Sequence, residues 1–337
     1  MRPTPINKEL IDNTIREHGI QDFAKATIRE VKGVAAHAEK ESGVEFIKME
    51  MGIPGLPAAQ VGVDAQIKSL QDGIAHSYPD IQGLPALKEA ASEFVKAFIG
   101  VDINPEGCVP VCGSMQGTFA SFLTCSQADK KKDTVLFDPG FPVQKMQLQV
   151  QGTKYETFDV YNFRGEKLGP KLESYLANGN ICAIVYSNPN NPSWICMTDD
   201  ELRTIGSLAT KYDCIIMEDL AYFAMDFRRD IRPFQEPYQP SVANYTDNYI
   251  LLISGSKAFS YAGERIGVTC ISDKLFHRHY HDLAERYEGL PFGPVFSTRM
   301  LYALSSGTSH SAQYAMAAML KAAAEGKFDF QIGRAHV

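Results

Sequence analysis

The 337-residue chain carries 33 Lys and Arg against 40 Asp and Glu, a formal net charge of −7, with 45% hydrophobic and 22% charged residues. That composition supports a sizeable buried core and excludes a disordered or fibrous chain; at about 150 residues per domain it implies roughly two domains. An acidic balance with no long basic run repels a phosphate backbone, so nucleic acid is not an expected partner.

The opening MRPTPINKEL interleaves charges with apolar residues and is not a signal peptide, and no window reaches eighteen consecutive apolar residues. A soluble, non-membrane, cytoplasmic protein is expected. Cys108, Cys112, Cys125, Cys182, Cys196, Cys214 and Cys270 are odd in number and form no C-x-x-C pair, so they are expected to be reduced and structural.

In chain order, Ile28, Val31, Ala35 and Ala38 recur at helical spacing and predict a helix over 27–40. The turn Pro79-Asp80-Ile81-Gln82-Gly83 precedes a second helix over 84–99. Short runs rich in Val, Ile, Leu, Tyr and Cys predict strands over 109–112, 134–138, 181–187, 214–218, 249–254 and 266–272. A capping box from Thr198 to Glu201 opens a helix whose apolar face is Leu202, Ile205, Leu208, Ala209 and Tyr212. The Pro-rich interval 231–240 is a surface excursion between strands. This alternation predicts an α/β fold with helices on both faces of a mostly parallel sheet.

In such a fold the ligand crevice lies beyond the carboxyl ends of the strands, and four segments there carry polar chemistry. Gly113-Ser114-Met115-Gln116-Gly117 joins a strand to a helix start and offers N–H groups and a hydroxyl to a phosphate. Asn188-Pro189-Asn190-Asn191-Pro192 is a stiff turn that can aim an amide inward. Glu218 and Asp219 close a strand, with Tyr222 three residues on. Gly255-Ser256-Lys257 follows another, and Arg265 comes eight residues later. Singly each has a bland reading, as a helix start, a loop, a capping acid or a solvated lysine.

Together, in this order, the segments resemble the class I/II aminotransferases, pyridoxal-phosphate enzymes of fold type I (aspartate aminotransferase-like). The likeness runs from about Glu45 to about Ser306, and S-x-S-K followed by G-x-R-x-G is its most specific part. It implies a three-layer large domain plus an incomplete small domain. It places the lysine that carries the internal aldimine at Lys257, the acid facing the pyridinium nitrogen at Asp219, and donors to the ring oxygen at Tyr222 and Asn191. The phosphate would be held by Ser114, Met115, Ser254 and Arg265, with Phe141 stacking on the ring. Tyr78 resembles the tyrosine that reaches a neighbour's cofactor phosphate, which implies a homodimer with shared sites, and Gly52 resembles the loop glycine over the substrate carboxylate, which Asn191 would also meet. The implied activity is ping-pong transfer of an amino group from an amino acid to a 2-oxo acid. The alternatives are C–S β-elimination on the same cofactor and a non-catalytic cofactor-binding regulatory module.

Two departures stand out. The family's N-P-T-G turn continues here as Asn191-Pro192-Ser193-Trp194, losing its glycine to an indole. No arginine matches the family's residue for the α-carboxylate; Arg278, Arg286 and Arg299 come too early. The tail Gln331-Ile-Gly-Arg-Ala-His-Val337 resembles a translated sequencing adapter, so a truncated gene fragment is expected. The implied partition is an N-terminal arm and part of the small domain over 1–45, a cofactor-binding large domain over 46–290, the start of the C-terminal small domain over 291–330 and a non-native tail over 331–337. His277, His279 and His281, on a helix expected after Asp273, are read as a solvated face rather than a metal site. Lys130-Lys131-Lys132 is read as a solvated charge run, and Met115, Met146, Met316 and Met319 as core filler.

Overall fold

The computed structural model describes residues 6–23, 26–49, 52 and 55–330. The chain divides into two compact units, Met1–Pro54 and a second from Gly55 onward. The first holds helices α1 (Lys8–Glu17) and α2 (Ile28–Ser42). Helix α2 begins at Ile28, one residue later than the predicted start at 27, because Thr27 is its N-cap and forms a capping box with Glu30 that satisfies first-turn N–H groups reciprocally.

The second unit is built on a seven-stranded sheet. Its strands are β1 (Cys108–Val111), β2 (Asp133–Asp138), β3 (Tyr155–Asp159), β4 (Ile181–Ser187), β5 (Ile215–Asp219), β6 (Tyr249–Ser254) and β7 (Gly267–Ile271), in the spatial order β1-β7-β6-β5-β4-β2-β3. Strand β2 runs parallel to β3 and β4, β4 to β5, and β5 to β6; β7 is antiparallel to both β6 and β1. The sheet is therefore mixed and mostly parallel, as the α/β reading expects. All four central parallel strands are rich in fully buried residues, which is why they read as continuous apolar runs. Strand β3 was not among the predicted strands: YETFD lies at the sheet edge with most of its side chains at least partly exposed, so it lacks that signal.

Helices cover both faces. On one, Phe94 and Phe98 of α4 (Pro85–Ile99), Leu172 of α7 (Leu168–Leu176) and Leu202 and Ile205 of α8 (Asp199–Tyr212) pack with Ile184, Ile216 and Leu251 of the sheet. On the other, Phe122 and Cys125 of α5 (Gly113–Ala128) join Phe276, Phe292 and Phe296 against Val185, Met217 and Ile250. Consecutive strand residues thus serve opposite layers, the period of two of a pleated strand. The capping box predicted at Thr198 is present, with Thr198 Oγ1 accepting from the Glu201 N–H and Glu201 accepting from the Thr198 N–H.

Several sequence expectations need correction. The helix expected after Asp273 stops at Phe276 and resumes only at His281, so His277 and His281 do not share one helix face. His277 instead lies 3.6 Å from Glu106, and His281 3.2 Å from Asp282. Lys131 is not merely solvated: its Nζ donates to the carbonyls of Tyr212 (2.5 Å) and Asp213 (2.9 Å), capping α8. Met316 and Met319 are core residues, but Met115 and Met146 are exposed. The seven cysteines are unpaired with one another, five of them buried like core residues but Cys112 exposed. No helix among the described residues is long and apolar enough to cross a membrane.

Candidate active site

The parallel strands β2, β4, β5 and β6 end at Asp138, Ser187, Asp219 and Ser254, along one edge of the sheet. Register places Ser187 opposite Asp219. Asp219 and Ser254 are the last residues of β5 and β6, and Phe141, Asn191, Tyr222 and Lys257 lie three or four residues past a strand end.

At β1 the chain turns directly into α5. Gly113 adopts φ +69°, and a Cβ there would lie 2.5 Å from Nη2 of Arg265, so only glycine admits the guanidinium against the helix start. Ser114 follows in the first turn, where backbone N–H groups have no intrahelical acceptor. Its Oγ is buried and finds no hydrogen-bonding group among the described residues. Arg265 itself has φ 52° and donates to the Ala262 carbonyl at 2.9 Å and, at 3.4 Å, to Ser256 Oγ. Ser254 Oγ accepts from the Ser256 N–H at 3.1 Å, which shapes the turn leading to Lys257. A helix N-terminus, an orphaned hydroxyl and a guanidinium thus converge, and that donor set suits a phosphate dianion.

Asp219 is buried, and its carboxylate is thinly held: the Ala221 N–H donates to Oδ1 at 3.1 Å, and Gln144 Nε2 reaches Oδ2 at only 3.5 Å. Burial raises its pKa to about 6 against that one backbone bond. A buried, under-satisfied carboxylate suits a cationic N–H that would replace lost water. Tyr222 is pushed up by burial and then by Asp219, so its phenol stays protonated and able to donate. Lys257 Nζ lies 6.0 Å from the Tyr222 ring centroid, and its pKa is lowered, first by burial and second by Arg265. This depression increases the fraction of neutral, nucleophilic amine.

The adjacent acid, Glu218, does different work. It accepts from Ser241 Oγ (2.5 Å), the Val242 N–H (3.1 Å), Asn188 Nδ2 (3.3 Å) and Tyr186 Oη (3.4 Å). Asn188 also donates to the Pro240 carbonyl (3.0 Å) and accepts from the Met197 N–H (3.1 Å), tying the turn after β4 to the excursion before β6. Within that turn Asn190 is fully buried, and the Asn191 N–H donates to Ser187 Oγ at 3.1 Å. Trp194 keeps the left-handed backbone that its glycine-like position requires, with φ 57°.

Other candidates are placed as follows. Phe141 caps α6 (Pro142–Gln151) just past the end of β2 and is half-buried. Tyr78 is 85% exposed and rims an open hollow of about 550 Å³ with His76, Ser77, Pro79 and His310. Gly52 belongs to the first unit, and Met51, Ile53 and Pro54 around it lie outside the described residues. Two residues were not singled out from sequence. Gln144 reaches Asp219, and Gln147 bridges α6 to α5 by donating to the Met115 carbonyl and accepting from Thr118 Oγ1, both at 2.7 Å. Their signal was available, since polar residues three apart on a helix share a face, but spacing alone does not show that this face is buried.

The family described as aminotransferase class I and II matches residues 45–330. An aspartate aminotransferase of Pyrococcus horikoshii is 26% identical over 68% of this chain and 56% of its own length. An LL-diaminopimelate aminotransferase of Natranaerobius thermophilus is 28% identical over 70% and 60%. The chain therefore spans less than two thirds of the length of these relatives. Among solved structures, the aspartate aminotransferase of Thermus thermophilus with maleate superposes with a TM-score of 0.71 at 18% identity, covering 92% of this chain and 74% of that one. The corresponding enzyme of Thermotoga maritima gives 0.68 at 21% identity, covering 91% and 74%. The family match covers most of the sequence, and the chain belongs to the class I and II aminotransferases.

Proposed function

We propose that this chain carries the cofactor-binding and proton-transfer machinery of a pyridoxal-phosphate-dependent aminotransferase, moving an amino group from an amino acid to a 2-oxo acid in two half-reactions. The single observation that supports it most is Asp219, a buried carboxylate with one good hydrogen bond, within the same strand-end cluster as Tyr222 and Lys257. When bound, pyridoxal phosphate supplies an electron sink for the pair released at the substrate Cα.

The chain's own residues do the rest. The α5 N–H groups, Ser114, Ser254 and Arg265 bind and orient the phosphate, with Met115 in the same helical turn. Asp219 keeps a proton on the ring nitrogen, and Tyr222 and Asn191 donate to the ring oxygen. Phe141 covers one ring face. Lys257 would hold the cofactor through its Nζ and, as a free amine, would take the substrate Cα proton and deliver it to the cofactor's C4′ carbon, a role for which a depressed pKa is suited. Asn191 and Gly52 are assigned to the substrate carboxylate. The exposed Tyr78 beside an open hollow supports a homodimer in which this phenol serves the neighbouring subunit's site. We assign residues 46–290 to the cofactor domain, with 1–45 an arm and part of the small domain and 291–330 the start of its C-terminal portion. Free cysteines support a cytoplasmic location.

The test is spectroscopic. Pyridoxal phosphate added to the chain should produce a visible absorption band, and borohydride should fix the cofactor to the peptide containing Lys257. The Lys257→Ala variant should give neither the band nor turnover. Strict dependence of product on a 2-oxo acid identifies the transaminase; labelling elsewhere, or a band that survives Lys257→Ala, overturns the reading.

A further inference from the structure

Trp194 occupies a position that favours glycine, at φ 57°. For an L-residue the left-handed backbone costs about 1 kcal/mol, and for a bulky one it is an outlier that the surroundings must impose. The turn does impose it. The Trp194 N–H donates to the Asn190 carbonyl (2.9 Å), the Asn190 N–H to the Ile195 carbonyl (2.8 Å), and Ser193 Oγ to Asn190 Oδ1 (2.8 Å). The backbone is thus doubled back beyond β4.

The indole is not core filler, because 41% of the residue is exposed. It stands edge-on to Tyr222, with ring centroids 5.5 Å apart and planes at 73°, and lies nearly parallel to Phe227 at 6.4 Å and 25°. Phe227 is itself 53% exposed. Since Lys257 Nζ lies over the Tyr222 ring, a single aromatic ring separates the reactive amine from the indole. A glycine would hold this backbone without strain, so the residue present is explained by what it displays: an open aromatic wall beside the amine.

The wall's chemistry is apolar and planar. Arg228, adjoining Phe227, is already engaged by Asp226 through two bonds of 2.8 Å, and Arg229 lies 3.6 Å from Asp199. A carboxylate laid against these rings would lose water without a charged donor to replace it. We propose that Trp194, backed by Phe227, is a specificity-determining residue that selects amino acids with aromatic or large apolar side chains over acidic ones. This deepens the aminotransferase reading and rests on Lys257 marking the reacting centre.

Trp194 is the chain's single tryptophan, so its emission reports on this wall directly. Titration of the whole chain with 3-phenylpropionate should shift that emission, and calorimetry should give a Kd about tenfold tighter than for succinate. In Trp194→Gly the preference should fall to within about threefold, while Trp194→Phe keeps most of it. The melting temperature of Trp194→Gly should be unchanged or higher, which shows that the loss is not unfolding. Equal or tighter succinate binding, an emission that neither ligand moves, or a preference that survives Trp194→Gly overturns the proposal. Capture of pyridoxal phosphate on Lys257 is read separately. Capture without ligand preference sinks the wall alone, whereas preference without capture sinks the cofactor reading and with it the assignment of the wall to a donor side chain.

Discussion

Glu218 and Asp219 are consecutive in β5, both are buried, and burial raises both pKa values, to about 7 and about 6. They differ in what holds them. Glu218 faces the layer of Tyr186 and Val242 and accepts four hydrogen bonds, whereas Asp219 faces the opposite layer and accepts one good one. Pleating alone separates them. The first is a satisfied knot that fastens two loops; the second is left short of donors, the state expected of a group that waits for a ligand. Desolvation is therefore not what distinguishes a structural acid from a functional one here. Satisfaction is.

The strongest way to break this comparison is to delete each carboxyl in turn. Glu218→Ala would leave the Ser241 hydroxyl and the Val242 N–H buried without their acceptor and cost Asn188 one of its two, and should destabilise the chain by about 3–5 kcal/mol in chemical denaturation. Asp219→Ala should change stability by less than about 1 kcal/mol and weaken pyridoxal phosphate binding on the order of 100-fold. If both variants lose stability equally, the distinction between knot and site fails.

Titration sharpens the same contrast. Glu218 ordinarily titrates near 4.5 and in the fold near 7. A raised carboxyl pKa means that the folded state favours the proton, so this contribution is complete below pH 4.5 and is lost as pH rises through about 7. Measured against Glu218→Gln, which stays neutral, stability should fall between pH 5 and 8 by on the order of 3 kcal/mol. A flat difference would mean that the four donors keep Glu218 ionised throughout. Asp219 should show the same sign over a lower window, from 3.8 to about 6, and the window should vanish once a cationic ligand is bound.

A smaller effect is expected at Ser114. Its Oγ is orphaned, so Ser114→Ala should leave stability unchanged or slightly higher while weakening phosphate-dependent cofactor binding about tenfold. Titration with pyridoxal, which lacks the phosphate, checks the assignment, because its affinity should not change.

How much of this could be read in the sequence depends on whether a feature is local. The central strands were legible because they are buried on both faces and read as unbroken apolar runs, and the helix at Thr198 because its capping box lies within four residues. The edge strand β3 was not, since its mixed exposure imitates a loop. Asp219, Lys257 and Arg265 stood out as candidates at strand ends, and the roles proposed for them came from the resemblance to the aminotransferases rather than from position alone. The closure of Ser241 and Val242 onto Glu218 spans more than twenty residues and carries no local pattern. Trp194 was visible as a lost glycine, but its place against Tyr222 depends on how two strand ends meet.

Lys130-Lys131-Lys132 gives the smallest and most discriminating case. By composition the three are equivalent, a short basic run in water. In the fold Lys131 donates to the last carbonyls of α8, at Tyr212 and Asp213, where the helix dipole is negative and carbonyls lack intrahelical donors. Lys132 Nζ donates to the nearby Asp129 carbonyl. Lys131→Met should therefore destabilise by about 1 kcal/mol, and Lys130→Met should fall within about 0.5 kcal/mol of the parent. The Lys131 loss should shrink only slightly in high salt, because its bonds are short and partly buried, whereas a purely coulombic contribution would be screened away. Equal effects at both positions would return the run to solvent and leave the end of α8 held by the chain reversal at Asp213 and the two bonds its carboxylate accepts from Arg278.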